Sequence, residues 1–177
     1  MVELFRTFDE TGKPLELLPR PVVHREGIWH KAVQVLLFDA RKQMLLQQRA
    51  AGKDLYPDTW DNAVGEHLLP DESFFEGAHR GIKEELGISA CELWPLTGDI
   101  RFEVREGGNW DREIQQVFYG VYEGVLLPDS EEVRDVCYVD RSGLDDWLAR
   151  SPQAFTPWFV AHWPELCHQV CELGLFE

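Results

Sequence analysis

The sequence predicts an α+β fold in which a mixed β-sheet is flanked by helices. Three observations lead there. Runs of strand length, rich in Val, Leu, Ile and aromatic residues and bounded by turn residues, recur along the 177-residue chain. One segment, opening at Ser73, has helical spacing and both end signals instead. The two kinds mix with no repeat, low-complexity tract or flexible linker, so they are expected to share one domain over residues 1–177. Within it we expect an N-terminal hairpin over about 1–28, a core over 29–150 and a C-terminal helix over 151–177.

The first element, VELFRTFDETGKPLELLPR, reads as a strand, an Asp-Glu-Thr-Gly turn and a short extended return. WHKAVQVLLF (29–38) and QMLLQQR (43–49) are neighbouring strands joined by a turn at Asp39. YPDTWDNAVG is turn-rich, then briefly extended. The next helix has a capping box, Ser73 with Glu76, and a stop at Gly87, and Phe75, Ala78, Ile82 and Leu86 form its apolar stripe. CELWPL, IRFEV and REIQQVFYGVYEG read as strands, with Gly107, Gly108 and Asn109 as the loop before the last. EVRDVCYVD adds another strand. Ser142 opens a short helix, and Thr156 with Pro157 opens one ending near Gly174 that Pro164 should kink or split.

Composition narrows the function. Hydrophobic residues make up 44% and charged residues 28%, values of a globular chain rather than a disordered or fibrous one. The formal net charge is −15 and Lys and Arg do not cluster, so a nucleic-acid polymer is not an expected partner. No run approaches the roughly 18 apolar residues of a membrane span, and MVELFRTFDE lacks the pattern of a secretory signal, so a cytoplasmic location is the expectation. The four cysteines read as reduced thiols, and Cys167 and Cys171 with His168 as helix packing rather than zinc ligands. A small anionic substrate remains admissible where local cations or a metal reverse the field. Oligomeric state is not legible.

The chemistry concentrates in WDNAVGEHLLPDESFFEGAHRGIKEELGI, Trp60 to Ile88. At about 100° per residue, Glu84 projects opposite the stripe and Glu85 lies at its border, where a side chain reaches a cleft while its backbone stays anchored. Gly81, one turn earlier, leaves vacant the place of a second carboxylate. In isolation the Lys83-Glu84-Glu85 run reads as a solvated face.

The spacing of Glu72, Arg80, Ile82, Glu84, Glu85, Gly87 and Ile88 resembles the Nudix signature. Two positions depart from it. Glu66 stands at the first glycine, with Gly65 one place early, and Gly81 replaces the glutamate after the arginine. The resemblance implies a Nudix-type α/β/α sandwich and carboxylates that hold Mg²⁺ or Mn²⁺ against a diphosphate and help activate water. It also implies roles: Glu85 as metal ligand, Glu84 as ligand or base, Glu72 as support of the loop and Arg80 as the group fixing the carboxylates.

VVHREGIWHKAVQVLLF, LLQQRAAGKDLYPDTWDNAV, DREIQQVF and AFTPWFV further resemble, in the same order, the subgroup of isopentenyl-diphosphate isomerases and their hydrolase-like relatives. That likeness implies a second metal site at His24, His30, His67, Asp111 and Glu113, a donor set that also suits Zn²⁺. It implies diphosphate-binding cations at Arg20, Arg49 and Lys53, and an aromatic wall at Trp158. Gly65 takes the position of the isomerase's catalytic cysteine, and Phe102 lies near that of a catalytic tyrosine, so a proton relay through those side chains is missing although Glu113 remains as a catalytic carboxylate. Glu66 either adds a ligand beside His67 or, turned into the pocket, opposes a diphosphate. The leading expectation is a metal-dependent hydrolase of a small diphosphate-containing metabolite. The alternatives are the isomerase reaction and a catalytically idle diphosphate- or metal-binding protein.

Overall fold

The apolar run from Trp29 to Phe38 forms strand β3, buried along nearly its whole length in the computed structural model, which describes residues 2–176. Met1 and Glu177, the ends of the expected 1–177 domain, lie outside the described residues. A strand apolar on both faces must be covered on both, and β3 is the centre of the sheet. It pairs in parallel with β9 (Asn109–Val121) and antiparallel with β1 (Leu4–Phe8), β4 (Met44–Arg49) and β6 (Val64–His67). β2 (Pro14–Pro19) closes the N-terminal hairpin on β1. β5 (Trp60–Asp61) and β10 (Val133–Val139) join β4, while β7 (Trp94–Pro95) and β8 (Ile100–Glu106) join β9.

Four α-helices accompany the sheet among the described residues: α1 (Arg20–Glu26), α2 (Phe74–Leu86), α3 (Arg141–Arg150) and α4 (Pro157–Glu172). The alternation of β3 divides the core between them. Val33, Val35 and Leu37 pack with Ala78, Ile82 and Leu86 of α2, and Leu36 and Phe38 pack with Leu144 of α3 and Phe159 and Leu166 of α4. This is the α+β class expected, layered helix, sheet, helix.

Helix α2 has the full capping box at Ser73 and Glu76 and ends at Gly87 in the left-handed region, φ 70°. Ala78, Ile82 and Leu86 face the core as expected, but the buried face extends toward Phe74, Gly77, Gly81 and Glu85 and leaves Phe75 outside. Phe74 is buried and Phe75 is 51% exposed. Gly77 and Gly81 turn toward the sheet, where a Cβ would come within 2.2 Å of Leu68 Cδ2 and 2.6 Å of Val64 Cγ1. Without side chains at those positions α2 approaches the sheet closely, and the close approach covers Glu85 at the border, leaving it 3% exposed.

Other elements also differ from the sequence reading. The extended return is β2, and the chain then forms α1 from Arg20, a helix absent from the sequence reading, with Pro21 in its first turn and Gly27 ending it at φ 64°. Asp140, not Ser142, caps α3, accepting from the Gly143 N–H at 2.8 Å. CELWPL yields only the two-residue β7. Helix α4 continues through Pro164 without splitting, because Pro164 and Val160, whose carbonyl loses its partner, both lie on the exposed face where water can serve it.

Candidate active site

Strand register gathers distant residues onto one face. β6 sets His67 opposite Ala32 and Gly65 opposite Gln34, while β9 sets Glu113 opposite His30 and Gln115 opposite Ala32. With a side-chain period of two, His30, Gln34, His67, Gly65, Asp111, Glu113 and Gln115 share that face. Above most of it opens a cavity of about 390 Å³. Arg20, Arg49, Lys53, Glu66, His67, Glu84, Glu85, Asp111, Glu113 and Trp158 all line it.

At one end, one ligand atom each from His24, His30, His67 and Asp111 lie within 4.8 Å of one another. His24 comes from α1, which its Pro and Gly end signals place beside β9. Asp111 Oδ1 stands 3.4 Å from His30 Nε2 and 3.7 Å from His24 Nε2, and Glu113 Oε1 stands 3.0 Å from His67 Nε2. His30 Nδ1 faces the Ile28 carbonyl at 3.0 Å, which favours the proton there and leaves Nε2 as the free lone pair. The Nε2 atoms of His24, His30 and His67 and Oδ1 of Asp111 are buried without a hydrogen-bond partner. Buried polar atoms are ordinarily satisfied. Four convergent orphans of ligand type fit a divalent cation.

Protonation follows from the same burial. Desolvation, with the Arg20 charge added, brings His24 down to about 4, and desolvation also holds His30 and His67 well below the usual imidazole range. All three are neutral, the ligand form, at neutral pH. Burial and then the neighbouring Glu113 raise Asp111 to about 8, and burial raises Glu113. A cation would reverse those two shifts.

The α2 carboxylates line another part of the cavity. Burial, then repulsion from Glu66, raises Glu85 to about 8, and Gln47 Nε2 donates to its Oε2 at 2.8 Å. Glu84 is largely exposed and held by Arg80 Nη1 at 3.1 Å. Arg80 also grips Glu72 through Nε at 2.9 Å, reaches Glu66 at 3.2 Å and donates to the His67 carbonyl at 2.7 Å. It therefore ties α2, the preceding loop and β6 together. A Cβ on Gly81 would lie 2.6 Å from Val64 Cγ1 and 3.3 Å from Glu66 Cβ, so Val64 and the Glu66 side chain together take the space beside that glycine.

Comparison with known proteins agrees with this architecture. Residues 28–159 match the NUDIX domain. The chain belongs to the Nudix family. An isopentenyl-diphosphate Delta-isomerase of Burkholderia multivorans is 31% identical over 159 residues, 90% of each chain. That of Nocardia farcinica is 36% identical over 157 residues, 86% of this chain and 87% of its own. Among solved structures, the MutT protein from Methanosarcina mazei superposes with a TM-score of 0.63 at 22% identity, covering 80% of this chain and 94% of its own. A Nudix hydrolase from M. smegmatis, RenU, gives 0.59 at 21% identity, covering 94% of each.

In this Nudix protein the three expected diphosphate cations all line the cavity, and each is already engaged. Arg20 pairs with Glu3 at 3.1 Å and approaches Asp54 at 3.7 Å. Lys53 pairs with Glu132. Arg49 donates to the Leu55 carbonyl and lies over the Trp158 ring at 5.3 Å. Trp158 also lines the cavity. Phe102 packs edge-on against Trp158 and His162.

Several residues of the cavity and the histidine cluster carried no sequence signal. Phe5 packs against the rings of His24, His30 and His67 at 4.7–5.8 Å and supplies the hydrophobic side of that cluster. Asp61 is a buried carboxylate receiving the Trp158 indole N–H at 2.7 Å. Gln34 and Gln115 are joined by a 3.2 Å hydrogen bond across β3 and β9. A buried Asp in a turn-rich stretch and Gln in a strand had no pattern to expose them. For Gln34 and Gln115, position in the period-two alternation with His30 and Glu113 was the available clue.

Proposed function

We propose that this Nudix protein is a metal-dependent hydrolase of a small diphosphate-containing metabolite. The observation that carries the reading is the placement of Glu85, buried in the wall of the cavity that Arg20, Arg49 and Lys53 line, with Glu66 and Glu84 beside it. The three cations would orient the diphosphate by charge-assisted hydrogen bonds, at the cost of loosening their present acidic partners. Glu85, assisted by Glu84 and by Glu66 in the place that Gly81 leaves, would hold Mg²⁺ or Mn²⁺. His24, His30, His67, Asp111 and Glu113 would hold a second ion, for which Zn²⁺ is also suited. Bound divalent ions supply neutralisation of phosphate charge and a lowered pKa for water. Glu84, exposed and lining the same cavity, would accept a proton from an attacking water. Glu72 and Arg80 would act by holding the carboxylates and the β6 backbone in register.

The isomerase reaction is the second reading, favoured by the names of the relatives and by the retained Glu113. Against it, Gly65 presents no side chain to the cavity and Phe102 no hydroxyl. Incubation with Mg²⁺ or Mn²⁺ and a panel of nucleoside diphosphate derivatives, nucleoside triphosphates and isopentenyl diphosphate, followed by phosphorus and proton NMR, separates the two. Phosphate release that falls by about a hundredfold or more in Glu85→Gln supports the hydrolase. Alkene migration without release selects the isomerase. Metal or diphosphate binding with no turnover selects an idle binding protein.

A further inference from the structure

The floor of the cavity between β6 and α4 is polar where a hydrocarbon would need it apolar. At Gly65 a Cβ would meet one atom only, Asp61 Oδ2, at 4.0 Å. The missing side chain thus opens the cavity directly onto a carboxylate that is 1% exposed. Asp61 is fixed in place. Its Oδ1 accepts from the Asn62 N–H at 2.8 Å and its Oδ2 from the Trp158 indole at 2.7 Å, with Arg49 Nη1 at 3.7 Å. From its neighbour Asn62 a chain of side-chain amides continues across the floor: Asn62 donates to Gln34, Gln34 to Gln115, and Gln115 to Glu113.

A carboxylate has about four acceptor positions; the Asn62 N–H, the Trp158 indole and the Thr156 hydroxyl take three, and Arg49 at 3.7 Å stands beyond hydrogen-bond distance, which leaves one. A substrate oxygen standing about 1 Å nearer to Oδ2 than the position of the absent Cβ is within hydrogen-bond distance of it. An alkenyl tail in the same place would cover that remaining acceptor position and return nothing.

We infer that Asp61, reached through the gap at Gly65, is a specificity-determining residue that selects diphosphate esters whose alcohol portion carries a hydroxyl group over those with a plain hydrocarbon tail. The inference rests on the diphosphate reading of the cavity and adds the nature of the other half of the substrate. It casts Gly65 as the opening of a hydroxyl subsite and assigns Trp158 to holding the acceptor.

A matched pair tests it: isopentenyl diphosphate and 3-hydroxy-3-methylbutyl diphosphate, which share a carbon skeleton and differ by the elements of water. With Mg²⁺, kcat/KM for phosphate release should favour the hydroxylated ester by at least about tenfold. Gly65→Val, whose side chain enters open space at the mouth of the subsite, should bring the ratio to near unity, and Asp61→Asn should reduce it while retaining the Trp158 contact. Equal rates for the two esters, preference for the alkene, or an unchanged ratio in folded Gly65→Val would overturn the assignment. If neither ester is cleaved, calorimetric binding of the same pair decides. Tighter binding of the hydroxylated ester that Gly65→Val abolishes sustains the subsite while the hydrolase reading fails, and equal binding removes both the subsite and its partner.

Discussion

Replacing Gly81 by glutamate would give this chain the residue that the Nudix signature carries after its arginine, and the expected outcome is damage rather than repair. A Cβ at position 81 would stand 2.6 Å from Val64 Cγ1 and 3.3 Å from Glu66 Cβ. Val64 is fully buried and β-branched, so it cannot swing aside cheaply. Overpacking of this kind costs about 1–3 kcal/mol, against about 1 kcal/mol regained from removing glycine from a helix interior. The new carboxylate would also meet Glu66 and Glu85, both already raised by burial, so a net loss of about 2 kcal/mol is expected. For a chain of this length that lowers the melting temperature by about 4–8 °C. Thermal unfolding by circular dichroism, with and without Mn²⁺, reads it. The double variant Glu66→Gly/Gly81→Glu should be less destabilised than the single changes sum to, by about 1 kcal/mol, because the two side chains compete for one space. A Gly81→Glu protein as stable as the parent would refute the packing argument against Val64, and strict additivity in the double variant would refute the competition of residues 66 and 81 for one space.

Three further outcomes are expected. In chelator-treated protein, urea stability should fall by about 1 kcal/mol or more between pH 6.5 and 8. Asp111 and Glu85 are raised to about 8, so the folded state binds more protons than the unfolded one across that window, and the stability they confer when protonated is lost as pH rises. Below pH 6.5 the depressed His24 acts in the opposite sense. Mn²⁺ affinity by calorimetry should rise with pH over the same interval with proton release, because binding requires the deprotonated carboxylates, and flat affinity would place the ion elsewhere. Ser73→Ala removes the acceptor of the Glu76 N–H and should cost about 0.5–2 kcal/mol, measured by urea denaturation.

The end signals of α2 and most of the strand runs were local, and the chain obeys them, whereas Ser142 yields its cap to Asp140 and CELWPL keeps only two strand residues. Ser73, Glu76 and Gly87 act through atoms within a few residues, so the sequence was sufficient to place α2. Phe75 shows where locality ends. Either phenylalanine satisfies the helical period, and the choice of Phe74 depends on two glycines meeting a sheet that is distant in sequence. Similarly, Pro164 was read from its own chemistry, whereas its tolerance depends on which side of α4 faces water.

The sequence by itself determined the α+β class, the capped helix and its carboxylates, and, through resemblance, the set His24, His30, His67, Asp111 and Glu113. Those are matters of period, cap chemistry and residue type. Only the tertiary structure decided that four of those residues bring ligand atoms within 4.8 Å, that Glu85 is buried, that Val64 and Glu66 fill the space beside Gly81, and that Asp61 lies behind Gly65. Each depends on strand register and helix approach, which arise from packing between residues far apart in the chain and leave no periodic trace along it.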